Sequence, residues 1–283
     1  MGMSGLGILF KEAAGIYKLN IKKIISLVAL ICLPVQLLYW FASEKLDNSG
    51  KLLEIVEQWQ SRQITDESMY EALIQDGIGK YYIYLLVTMF ISVLGAAFTI
   101  AIIRMTADTA VYGGIFSKCE DDSREIVYET DRCGGVQDYF SYAVKRLPKY
   151  LWTAVVAGII VVGGFFMCIF PGIIAAAVSL LGVYVVSLTS LWGIKAFRFS
   201  AHIIRRKPVL LFFYIICTLV QELAAGAVVS VFALFNMNII TSCIAFILTA
   251  CVMQIFFSYL EVFMTLLFME SVRSVPELEA AME

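Results

Sequence analysis

The sequence predicts an all-α integral membrane protein, a six-transmembrane-helix bundle with interfacial amphipathic helices, forming one membrane domain over residues 1–283. Three observations predict it. Of the 283 residues, 60% are hydrophobic and only 16% are charged, with a mean hydropathy of +0.84; a soluble domain carries about 25% charge. Six apolar runs reach the ~20 residues that a helix needs to cross hydrocarbon. The basic residues gather on alternate polar segments between those runs. An ionised side chain at mid-bilayer is costly, so scarcity of charge is what lipid as solvent demands.

The elements follow in chain order. Residues 1–20 place Leu6, Leu9, Phe10, Ala13, Ile16 and Tyr17 near one helical face, with Lys11, Glu12 and Lys18 off it. That spacing predicts an interfacial helix lying on the membrane. Residues 21–42 are the first span. Its apolar run exceeds the ~7–15 residues of a signal-peptide core, so the span is expected to be retained.

Residues 43–80 predict a helical hairpin of two short amphipathic helices. Leu52, Ile55, Val56 and Trp59 mark the first, and Met69, Leu73 and Ile74 the second. Thr65 can cap the second, and Asp66 and Glu67 favour its dipole. Residues 81–103 are the second span, opened by Tyr81, Tyr82 and Tyr84 at the level where aromatic belts sit.

Residues 104–149 predict a charged loop, then an amphipathic helix carrying Tyr139, Phe140, Ala143, Val144 and Leu147. The third and fourth spans are 150–170 and 172–192, with Pro171-Gly172 as a tight uncharged turn between them. Residues 195–208 form a short basic helix, and Pro208 suits the first position of the helix that follows. The fifth and sixth spans are 209–235 and 239–269, joined by Asn236-Met237-Asn238.

Charge orients the bundle. The N-terminal segment, 104–149, 195–208 and the tail together hold 17 of the 21 Lys and Arg residues. The other side has only Lys45, Lys51, Arg62 and Lys80, offset by eight acids. The positive-inside rule then places both termini in the cytoplasm, as an even number of spans requires, and 43–80 outside.

Four stretches resemble a known family. They are KEAAGIYKLNIKKIISLVALICLP, GGVQDYFSYAVKRLPKYLWTAVV, FPGIIAAAVSLLGVYVVSLTSLWGIKAFRFSAHIIRR and YLEVFMTLLFMESVRSVPELE. In this order the chain resembles the six-span membrane domain of some bacterial glycerophosphodiester phosphodiesterases and its stand-alone relatives. The resemblance implies a multi-pass protein of a bacterial cytoplasmic membrane. It brings no chemistry with it, since the chain ends at Glu283 without the diesterase domain. Relatives often carry an acid near the end of the fourth span, where this chain reads Val185-Val186-Ser187-Leu188-Thr189.

Several polar residues invite a functional reading. Glu222 stands about 20 Å into the fifth span, close to mid-bilayer. With Gln221 and Gln254 it is a candidate intramembrane polar site for a proton or cation; the plainer reading is a protonated acid bonded to a neighbouring helix. Arg104 and Glu261, at the cytoplasmic ends of their spans, are a candidate ion pair; as separate charges they would snorkel instead. Lys195, Arg198, His202, Arg205, Arg206 and Lys207 form a candidate contact with lipid headgroups, or else serve only as the topology signal.

Other classes are excluded or unsupported. Cys119 and Cys133 lack both a CxxC spacing and a nearby histidine, and His202 is the only histidine, so no metal site or cofactor is expected. A net charge of −2 without a basic stripe speaks against nucleic acid. No nucleophile–base constellation is visible. The sequence therefore favours a non-catalytic membrane protein engaging lipids or a membrane partner. A transporter or permease subunit using Glu222, with an ATPase as partner, is the alternative.

Overall fold

The computed structural model describes residues 3–46, 57, 67–112, 134–233 and 239–273. Among them every regular element is helical. Five helices are long and apolar enough to cross a membrane, and a sixth span is reached if the bent pair at residues 194–227 counts as one.

The chain starts with α1 (Met3–Leu27) and α2 (Leu33–Leu46), joined by one π-helical turn, Val28–Cys32. Pro34 accounts for the turn. Its ring crowds the carbonyl one turn back and it has no N–H to donate. The helix widens there, and the Leu33 N–H bonds the Val28 carbonyl five residues earlier. The run Leu6–Ala42 is continuous over 37 residues, about 55 Å against a hydrocarbon core of ~30 Å.

Residues 3–20 are therefore not a separate helix. From Met3 they are one with the first span. Leu9, Ala13, Ile16, Asn20, Ile24 and Leu27 are buried at a helical period. This face packs on the last helix, α9 (Ile239–Arg273). Phe10 stacks on Phe263 with ring centroids 4.1 Å apart, and the Tyr17 hydroxyl donates to the Ile255 carbonyl at 2.8 Å. Contacts that fall along α9 as they rise along α1 make the two antiparallel, so Met3 and Arg273 lie at the same end of the bundle.

The helix α3 (Glu67–Tyr112) absorbs the second helix expected in 43–80 and runs into its span without a break. The first helix of that hairpin lies outside the described residues, Glu57 apart. The expected start of a loop at residue 104 is also corrected. Residues 100–108 are helical and buried on every side. They meet residues 262–269 of α9, equally buried, in the core of the molecule. The charged centre of the expected loop, 113–133, lies outside the described residues.

The amphipathic helix expected from Val136 is present as the first half of α4 (Val136–Met167). The Asp138 carboxylate caps it by accepting the Gly134 and Gly135 N–H groups at 3.0 and 2.8 Å. Pro148 lies inside this helix without breaking it. The tight turn falls three residues before Pro171, at Cys168, whose backbone is extended. Pro171 instead sits in the first turn of α5 (Ile169–Leu180), where a missing N–H costs no helical bond. Gly164 and Gly172 touch across this hairpin: a Cβ on Gly164 would come within 2.9 Å of the Gly172 nitrogen.

The fourth span is one helix over Pro171–Leu188, with a turn at Leu181. After Leu181 comes α6 (Gly182–Leu188), and the chain is extended by Thr189, before the expected end at 192. Gly193 has φ of +62° and donates its N–H to Thr153 Oγ1 at 2.7 Å. It opens the basic helix α7 (Ile194–Arg206). The Lys207 N–H closes the last turn of α7 on the Ile203 carbonyl, and Pro208 begins α8 (Pro208–Ala233), the position expected for it.

Candidate functional site

A polar group away from water must find its partner within the protein. Most Ser and Thr hydroxyls solve this locally, donating to the carbonyl one turn back, as Thr106, Ser200, Ser258 and Ser271 do. The side chains singled out by the sequence fall in four settings.

The first is an interior carboxylate. Glu261 on α9 is half-buried, and its Oε2 accepts the Tyr184 hydroxyl of α6 at 2.8 Å. Tyr184 is 4% exposed and stands edge-on to Tyr214 of α8, centroids 5.1 Å apart. The Tyr214 hydroxyl donates to the Met264 carbonyl at 2.8 Å. Two phenols thus tie α6 and α8 to α9. The arrangement can hold a charge or a proton on Glu261, bonded at one oxygen.

The second setting surrounds Arg104. Among the described residues, no ion pair joins it to Glu261. Arg104 Nε lies 3.0 Å from Asp108 Oδ1, one turn on in the same helix, and both residues are buried. A partner at i+4 needs no second helix to approach, and Glu261 has its own donor in Tyr184. The Tyr142 ring of α4 is shared by two guanidinium groups, Arg104 at 4.8 Å and Arg146 at 5.3 Å from its centroid. Arg146 Nη1 donates to the Thr189 carbonyl at 3.1 Å and the Tyr142 hydroxyl to the Ser187 carbonyl at 2.8 Å. These bonds meet the carbonyls left open where α6 ends.

Sequence reasoning missed this cluster, although both signals were present. Asp108 is four residues after Arg104, and Tyr142 and Arg146 are four apart on the helix that begins at Val136.

The third setting is Glu222. It is exposed on α8, beside Leu219 and Leu223, which are exposed too. Gln221 and Gln254 are half-buried. Among the described residues, no hydrogen bond joins these three side chains to one another. Of Glu222 and Glu261, the one bonded inside the bundle is Glu261.

The fourth setting is α7. Ala196, Phe199, Ser200 and Ile203 are buried, whereas Lys195, Arg198, Arg205 and Arg206 are exposed. Lys207 and His202 are half-buried. His202 Nε2 is enclosed, with no hydrogen-bond partner among the described residues. Cys32, Cys168, Cys217, Cys243 and Cys251 are free thiols; Cys119 and Cys133 lie outside the described residues.

Compared with known proteins, the chain matches no family model, no curated protein and no solved structure.

Proposed function

We propose that this chain is a non-catalytic, six-span protein of a bacterial cytoplasmic membrane, with both termini in the cytoplasm, that engages anionic lipids or a membrane partner. In this reading it is a relative of the membrane domain of glycerophosphodiester phosphodiesterases. The observation that carries it is α7. One side of that helix is buried among its neighbours, and the other offers Lys195, Arg198, Arg205 and Arg206. Its last turn lies near Leu6 and Leu267, at the end of the bundle that holds Met3 and Arg273. Basic residues along the cytoplasmic leaflet gain about 1 kcal/mol each from anionic lipid.

Glu222 supports the partner arm of the same reading. A carboxylate on the outer face of an apolar helix is costly in lipid, and a second membrane chain that covers it removes that cost. The transport alternative, in which Glu222 serves a permease, draws on this same position.

Two measurements, one in cells and one on the reconstituted protein, test the proposal. Tags at Met1 and Glu283 should stay unlabelled by impermeant reagents in intact cells. Thermal unfolding should shift upward as phosphatidylglycerol replaces phosphatidylcholine in the bilayer. External labelling of both tags would overturn the orientation. Equal stability in the two lipids, with no co-purifying membrane chain, would overturn the function.

A further inference from the structure

We infer that the outer face of α8 docks one transmembrane helix of a partner chain, and that this helix carries a lysine or arginine at the depth of Glu222. The inference rests on the partner arm of the reading above and names the chemistry of that partner.

α8 begins at Pro208, and Glu222 lies about 20 Å further along it, close to mid-bilayer. Its side chain is exposed. Among the described residues it has no hydrogen-bond or ion-pair partner. Residues three, four and seven apart share a helical face. On the face of Glu222 these are Ile215 and Leu219 towards Pro208, and Ala225 and Gly226 beyond, all exposed. Two large apolar side chains and two small residues thus frame one carboxylate. A Cβ on Gly226 would meet nothing within 4 Å, so another backbone can come close there.

The chemistry of the carboxylate restricts what covers it. Acyl chains offer it no donor, and an ionised acid facing them is costly. A second copy of this chain offers no cation either. Residues 24–42, 81–103, 150–192 and 208–272 contain no lysine or arginine. Two copies meeting on this face across a two-fold axis would set Glu222 against itself, like charge against like. A helix of another chain with a cation at the same depth meets each demand. It pairs the acid inside the bilayer, as intramembrane charges generally are. It covers Ile215 and Leu219 with apolar side chains of its own and packs closely at Ala225 and Gly226.

The test uses the full chain reconstituted in phosphatidylcholine vesicles. The probes are synthetic polyleucine transmembrane helices with lysine, glutamate or leucine at the centre. Association is read by energy transfer between fluorophores on the helix and on a tag after Glu283. The lysine helix should bind about tenfold tighter than the leucine helix, the ratio that one interhelical polar bond supplies. The glutamate helix should bind no better than the leucine helix. Glu222→Leu should erase the preference for lysine. Glu222→Lys should reverse it, so that the glutamate helix binds best. Glu261→Gln, which alters the acid bonded inside the bundle, should leave the preference intact.

Glu222→Gln keeps the shape of the side chain and removes its charge. It should reduce the preference, and it keeps the question measurable if Glu222→Lys fails to fold. Equal binding of all three helices by the wild-type chain overturns the inference and leaves the lipid arm of the reading standing. A glutamate helix bound as tightly as the lysine helix overturns the cationic partner in favour of a second copy. A lysine preference that survives both Glu222→Gln and Glu222→Leu overturns the assignment to Glu222. A lysine preference in a chain that phosphatidylglycerol does not stabilise supports this inference and counts against the lipid arm alone.

Discussion

The Tyr184 hydroxyl donates to Glu261 Oε2 at 2.8 Å, joining α6 to α9 inside the bundle. The bond settles where the carboxylate points. An acid that faced lipid would find no donor there. Tyr184 is itself fixed by Tyr214 and by Phe268, whose ring stacks on it at 5.8 Å. The donor is thus presented by packed rings.

Removing that donor should be felt as lost stability. Tyr184→Phe keeps the ring contacts and deletes one hydrogen bond, at a cost of about 1–3 kcal/mol. Glu261→Gln keeps an oxygen that can accept, and should cost less. Thermal unfolding of both single variants and the double variant gives the coupling between them. Strict additivity would show that the pair does not interact in solution.

The hairpin between α4 and α5 makes a sharper demand. A Cβ on Gly164 would lie 2.9 Å from the Gly172 nitrogen and 3.0 Å from its Cα, both backbone atoms that cannot rotate away. A Cβ on Gly158, in the same helix, meets nothing within 4 Å. Gly164→Ala should therefore destabilise by about 1–3 kcal/mol. Gly158→Ala should be neutral or gain up to ~1 kcal/mol from helix propensity. Equal effects in unfolding experiments would show that the close approach is absent.

The positions of the apolar helices were legible in the sequence because length and hydropathy depend on the solvent alone. Which side of each helix faces inward was not. Bundle interior and lipid are equally apolar, so a span such as 209–235 has no periodic pattern to read. That is why Glu222 and Glu261 look alike in the sequence, though only Glu261 is bonded inside. Where water reaches one face, pattern returns in part: of the face expected from Val136, Tyr139 and Ala143 are buried and Leu147 is half-buried, whereas Phe140 and Val144 are exposed. The break at Cys168 was not: Pro171-Gly172 reads as a turn, but proline is equally at home in the first turn of a helix. Arg104 and Asp108 read as the start of a loop. Paired one turn apart, they can stay in a buried helix instead.

That pair makes a prediction of its own. Deleting one member of a buried ion pair costs about 3–5 kcal/mol, whereas replacing both by apolar residues is often close to neutral. Asp108→Leu should therefore lower the thermal midpoint and the yield of folded protein from membranes. Arg104→Met/Asp108→Leu should recover most of that loss. A double variant worse than either single one would mean that the ion pair itself, or its stacking on Tyr142, is what the core requires.

Glu222 and Glu261 predict opposite outcomes for the same substitution. Both are acids in apolar helices, so composition alone treats them equally. Glu261→Leu removes the acceptor of a buried phenol and leaves the Tyr184 hydroxyl enclosed, at about 1–3 kcal/mol. Glu222→Leu removes a carboxylate from an exposed face and should leave the purified chain within about 0.5 kcal/mol of wild type, or above it. The same Glu222→Leu change should weaken recovery of any membrane partner that covers α8 in cells. A large loss of stability in the isolated chain would instead place Glu222 inside the bundle, and the outer face of α8 would then have no carboxylate for a partner to cover.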